Sequence, residues 1–207
     1  MTTKTELKQF QYEIQGYQED CVTNITSLFE SLRQKVNFGD ALTAHHSKNK
    51  YKFPVQDTKN IDIMMETGTG KTFTFIKTIF ELSKHFGYKK FIILIPTVPI
   101  REGTKTNLED TKDYFKSFYA NEKEKEIETF VYEGGNISAV RQFIGTSHLS
   151  VLVMTPSSFS HKDNILNRPL EKDINTPELF VNNQEPPKSY LECLKRLNPI
   201  VIMDEPH

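Results

Sequence analysis

With 207 residues, 37% hydrophobic and 26% charged, the chain is sized for one α/β domain with peripheral additions and can bury a core without disulfides. A second full domain is not expected at this length, and a net charge of −1 gives no global basic signature, so any basic surface must be local. Cys21 and Cys193 stand outside any CxxC or metal-ligand spacing, Met1 to Gln11 is polar, and no apolar stretch approaches the ~18 residues of a membrane span; the expectation is a soluble cytoplasmic protein.

Residues 12 to 36 carry Val22, Ile25, Leu28, Phe29 and Leu32 at helical spacing. Residues 37 to 60 are polar and read as a loop or insertion, with His45-His46 a solvated pair because no second ligand cluster accompanies it. Ile61 to Met65 reads as a short buried strand, and Phe73 to Phe86 as a helix with Phe75, Ile79, Leu82 and Phe86 on its apolar face and Gly87 as C-cap. Residues 1–60 therefore read as an N-terminal helical segment and loop, and residues 61–207 as the main domain.

Between that strand and helix lies Glu66-Thr67-Gly68-Thr69-Gly70-Lys71-Thr72. Gly68 and Gly70 can take φ > 0 and lack side chains, so the backbone of Thr67 to Thr72 can curl with its N–H groups inward around a polyphosphate. Lys71 reaches the β- and γ-phosphates, Thr72 offers a hydroxyl to Mg²⁺, and the opening helix turns its positive end toward the anion. Met65 occupies the position where the general pattern has its first glycine, so the match is to the core of the motif.

Downstream, Phe91 to Ile95 is a continuous apolar run of strand length, followed by shorter runs at Thr129 to Tyr132, Ser150 to Met154 and Pro199 to Met203. Strands alternating with helical segments predict a doubly wound, mostly parallel sheet whose ligands bind at the carboxyl ends of its strands. Asn121 to Glu126 reads as a mixed-charge solvated face, and residues 161 to 188 as an extended loop. The last apolar run ends in Asp204-Glu205-Pro206-His207. An acidic pair closing a buried strand is the pattern of a Walker B site: Asp204 holds Mg²⁺ and Glu205 orients and deprotonates the attacking water.

Thr67 to Thr72 and Asp204 to His207 resemble motifs I and II of superfamily two helicases and translocases. The DEPH form of motif II and Ile95 to Gly103 are most similar to the restriction (Res) subunit of type III restriction-modification enzymes, with the resemblance running from about Tyr17 to His207. It implies a RecA-like fold, ATP and Mg²⁺ as cofactors, DNA as the track, and a DNA methyltransferase subunit as partner. It assigns Gln18 to the adenine edge, Thr97 and Arg101 in motif Ia and Thr155 in motif Ib to nucleic-acid phosphates, and Glu133-Gly134-Gly135 to a strand-gripping glycine pair or a simple turn. It further implies a second motor domain with an arginine finger and a nuclease, none of which residues 1 to 207 can supply. The expectation is half of a motor, truncated after the Walker B strand and inactive alone. An isolated nucleotide-binding module without turnover, a type I restriction motor and an unrelated phosphotransferase are the competing readings. A continuing reading frame past codon 207 separates fragment from module.

Overall fold

The computed structural model describes residues 13–34, 37–50, 60–135, 137–160, 164–170 and 187–205. They fall into two compact units, Met1–Leu82 and Ser83–His207.

In the first unit, α1 (Gly16–Arg33) forms as the apolar spacing predicts and buries Val22, Ile25 and Leu28. The expected loop over residues 37–60 instead contains a helix, α2 (Phe38–Asn49). Asn37 caps it by accepting the Asp40 N–H at 2.9 Å. Ala41 and Leu42 bury against Leu28, with Leu32, Phe38 and Ile61 alongside. Only two buried side chains hold this helix down, too few to give an amphipathic stripe. Helix α3 (Lys71–Phe86) buries Phe73, Ile76, Ile79, Phe80 and Leu82. It ends at Gly87, whose φ of +74° lets its N–H close onto the Ser83 carbonyl at 2.9 Å.

The strand expected at Ile61 to Met65 is absent. The segment belongs to no ladder, and Ile63 and Met64 are 49% and 87% exposed. Apolar composition alone does not make a strand, because the backbone groups need a lateral partner.

The second unit is built on four parallel strands in the order β2-β3-β1-β4: β1 (Lys90–Leu94), β2 (Glu128–Val131), β3 (Ser150–Met154) and β4 (Ile200–Met203). Helices α4 (Val98–Asp110) and α5 (Lys112–Phe118) connect β1 to β2, and α6 (Ser138–Gly145) connects β2 to β3. The return to β4 runs through α7 (Ser157–Ser160), a 3-10 turn at Ile165–Asn167 and α8 (Tyr190–Arg196). Among the described residues no helix is long and apolar enough to cross a membrane.

Register places Phe130, Leu152, Ile92 and Val201 in one row and Met154, Leu94 and Met203 in the next. The rows pack on Val140, Phe143, Ile144, Tyr190, Cys193 and Leu194 of α6 and α8. That cover stops short of β4, where Val201 and Met203 remain 51% and 54% exposed. The last strand is thus an edge strand, where the sequence predicts a fully buried one.

At the amino end of β1, Lys90 Nζ donates to the carbonyls of Phe143 and Thr146 at the end of α6 and to Ser150 Oγ at 3.2 Å. This cation satisfies the carbonyls that a helix leaves open at its C-terminus. Burial lowers its pKa from 10.5 to about 8. The acidic residues of Asn121 to Glu126, expected to be merely solvated, are paired: Glu122 with Lys84, Glu124 with Lys89, and Glu126 with Lys112 and Lys116.

Candidate functional site

The phosphate loop has the backbone that its glycines predict. Gly68 and Gly70 both take φ +81°, and Thr69 closes the turn by donating its N–H at 3.3 Å and its hydroxyl at 2.6 Å to the Glu66 carbonyl. A Cβ at Gly68 would meet nothing within 4 Å, so the cradle is open on that side. Helix α3 begins at Lys71, and Thr74 returns its N–H at 3.0 Å and its hydroxyl at 3.1 Å to the Gly70 carbonyl. Lys71 and Thr72 occupy its first turn, half-buried. An open anion cradle at a helix N-terminus fits a polyphosphate.

Gln18 lies against this loop. It is 5% exposed, and its amide is used at both ends: Oε1 accepts the Gln15 N–H at 3.1 Å, and Nε2 donates to the Thr69 carbonyl at 2.9 Å. The Tyr17 hydroxyl donates to the same carbonyl at 3.2 Å. Reading the residues one at a time passed over Tyr17. The signal in the sequence is its place directly before Gln18. Lys77 on α3 pairs with Glu19 on α1 at 3.6 Å, a second tie between the two helices.

Asp204 and Glu205 belong to the second unit, directly after β4. The Asp204 N–H donates to the Leu94 carbonyl at 3.0 Å, which extends the parallel ladder by one bond and fixes where the acidic pair leaves the sheet. Glu205 takes φ +51°, a left-handed conformation that costs a non-glycine residue roughly 1–2 kcal/mol. Pro206 and His207 lie outside the described residues. Among the described residues no cluster of three or more His, Cys, Asp or Glu could hold a metal alone.

The remaining candidates sit at the carboxyl ends of β1, β2 and β3. Thr97 is exposed and N-caps α4 with extended backbone, and its side chain makes no capping bond. Thr155 Oγ1 shares hydrogen bonds with Ser157 Oγ at 2.8 Å and Ser158 Oγ at 3.3 Å. Glu133-Gly134-Gly135 is an exposed turn, with Gly135 at φ +96°. Arg101 is buried: its guanidinium donates to the Tyr132 carbonyl at 3.2 Å and to the carboxylates of Glu102 and Glu133. Motif matching named neither carboxylate as its partner. Burial raises the Tyr132 phenol pKa, and a hydrogen bond from the Gly135 backbone acts in the opposite direction. A groove lined by Lys112, Glu126, Glu128 and His148 lies at the amino ends of β2 and β3, away from these residues.

The family model for the Res subunit of type III restriction enzymes matches residues 11–207. The chain is similar to the Res subunit of the type III restriction-modification enzyme EcoP15I of Escherichia coli, with 33% identity over 78% of this chain and 17% of the relative. It is 35% identical to the EcoPI Res subunit of Escherichia phage P1 over the same shares. With the StyLTI Res subunit of Salmonella typhimurium strain LT2 it shares 27% identity over 92% of this chain and 19% of the relative. The chain spans less than a fifth of the length of each of these relatives. With a phosphate loop opening α3, an acidic pair closing β4 and a family match over nearly its whole length, the chain belongs to the Res-subunit family of type III restriction enzymes.

Proposed function

We propose that residues 1–207 are the ATP-binding part of the first motor domain of a DNA translocase that acts in restriction of foreign DNA. The observation that carries this reading is the phosphate loop itself, with Gly68 and Gly70 at φ +81° and α3 opening at Lys71. Thr67, Gly68, Thr69 and Gly70 supply backbone to the phosphates, and Lys71 supplies the cation that meets the β- and γ-phosphate charge. By their motifs, Thr72 and Asp204 are the residues for Mg²⁺, which when bound would neutralise charge on the phosphates. Glu205 is the group that orients water and accepts its proton. The left-handed backbone at Glu205 supports that assignment, because strain of this kind concentrates at functional positions. Gln18 is the candidate for the adenine edge, a role in which its amide would exchange the Gln15 and Thr69 partners for the base.

Thr97 and Thr155, at the ends of β1 and β3, are the candidates for nucleic-acid phosphates, which position a strand without reading its bases. In the full assembly the partners would be DNA, a methyltransferase subunit, a second motor domain that carries the arginine finger, and a nuclease. An arginine finger in P-loop enzymes is worth on the order of 10³ to 10⁵ in rate, so residues 1–207 alone should hydrolyse ATP barely, with or without DNA. The test is turnover by this polypeptide before and after addition of the remaining segment of a Res subunit. Restored, DNA-stimulated hydrolysis supports the reading, and fast DNA-stimulated hydrolysis by residues 1–207 alone refutes it.

A further inference from the structure

We propose that Arg101 is a positioning residue that joins the loops at the ends of β1 and β2 into one nucleic-acid-facing edge, and is not itself a phosphate ligand. The role of that edge rests on the DNA reading above, while the clamp stands on its own geometry. Arg101 lies in the first turn of α4, which follows β1, and its side chain is 9% exposed. Nη1 donates to the Tyr132 carbonyl at 3.2 Å, Nη2 to Glu133 Oε1 at 3.4 Å and Glu102 Oε1 at 3.0 Å, and Nε to Glu102 Oε1 at 3.2 Å. Tyr132 and Glu133 follow β2, and β3 lies between β2 and β1 in the sheet. The guanidinium therefore reaches past the end of the intervening strand.

The turn it grips is held once more: the Tyr132 hydroxyl donates to Asn164 Oδ1 at 3.2 Å. A planar fork suits this task, since one group can hold a carbonyl and two carboxylates in fixed directions. Charge points the same way. One cation between Glu102 and Glu133 leaves the cluster net negative, so a DNA phosphate gains little from approaching it. Withdrawing Arg101 toward DNA would leave both exposed carboxylates without its positive charge beside the strand. The clamp instead fixes Glu133-Gly134-Gly135 beside Thr97 and Thr155 and offsets the carboxylates that would repel a phosphate.

The test uses the whole 207-residue chain with Arg101→Gln, Arg101→Lys and Glu133→Gln variants, read by amide hydrogen exchange and by titration with a DNA duplex at several salt concentrations. As a clamp, Arg101→Gln speeds exchange at Tyr132, whose buried N–H donates to the Val153 carbonyl at 2.9 Å, at least about tenfold and weakens DNA binding, with no change in the salt slope. Arg101→Lys fails to restore slow exchange, because an ammonium cannot reproduce the fork. Glu133→Gln, at an exposed carboxylate, also speeds exchange. A phosphate ligand would give the opposite pattern: the slope falls by about 0.9 for the lost contact, lysine retains much of the affinity, and Glu133→Gln leaves exchange unchanged. That pattern, or unchanged exchange in all three variants, overturns the proposal. Absence of any DNA binding by the wild-type chain at low salt refutes the DNA reading, and the exchange measurements still decide the clamp.

Discussion

Gly68 and Gly70 have the same backbone angle but different surroundings, so alanine at each separates backbone strain from a specific contact. Both sit at φ +81°, and an alanine forced into the left-handed region costs roughly 1–2 kcal/mol. At Gly68 that is the whole cost, since the added Cβ meets nothing within 4 Å. At Gly70 the Cβ would lie 2.4 Å from Gln18 Nε2, so the amide must move and give up its 2.9 Å bond to the Thr69 carbonyl. A lost hydrogen bond adds about 0.5–1.5 kcal/mol. Gly70→Ala should therefore cost about 1.5–3.5 kcal/mol against about 1–2 kcal/mol for Gly68→Ala. The assay is urea denaturation with slopes held equal, completed as a double-mutant cycle with Gln18→Ala. With the Gln18 amide gone, Gly70→Ala should fall to the cost of Gly68→Ala, a coupling of about 1 kcal/mol. Equal costs for the two glycines together with zero coupling would show that Gln18 does not brace the loop.

Two further predictions follow from other parts of the chain. In an assembly restored by the remainder of a Res subunit, Glu205→Gln should abolish DNA-stimulated ATP hydrolysis and leave ATP affinity within about twofold, measured by steady-state turnover and calorimetry; retained turnover would remove Glu205 from the water-activating role. Lys90 has a folded pKa of about 8, below its ordinary 10.5. Between those values the unfolded chain binds more protons, so this group makes stability rise with pH across the window. Lys90→Met should remove that rise, seen as a smaller difference between urea midpoints at pH 8 and pH 10 than in the wild type. Identical pH profiles would contradict the burial of this cation.

Some elements were legible because local chemistry determines them. Phe91 to Ile95 and Ser150 to Met154 are continuous apolar runs, and as β1 and β3 they are flanked by strands on both sides. The phosphate loop was legible because Gly68 and Gly70 are the residue type its backbone requires. Lateral partners were not legible. Ile61 to Met65 and Pro199 to Met203 look alike as apolar runs, yet the first joins no ladder and the second forms an edge strand with alternate side chains exposed. Hydropathy reports what a segment prefers to bury and says nothing of which strand lies beside it. Helix α2 escaped notice because Ala41 and Leu42 alone anchor it. Arg101 shows the same limit at the candidate site: a motif places it after β1, but Glu133, one of the two carboxylates that hold it, comes 32 residues later, after the rest of α4, α5 and β2. Contacts of that range are set by the sheet order, which local spacing does not encode.

Isothermal titration calorimetry of wild type and Lys71→Ala measures whether this chain binds Mg·ATP through its phosphate loop. Lys71 brings the cation that the loop needs beside the β- and γ-phosphates, so wild type should bind Mg·ATP and Lys71→Ala should lose most of that affinity while keeping its fold. Equal affinity for the two proteins, or no binding by either, would contradict the account.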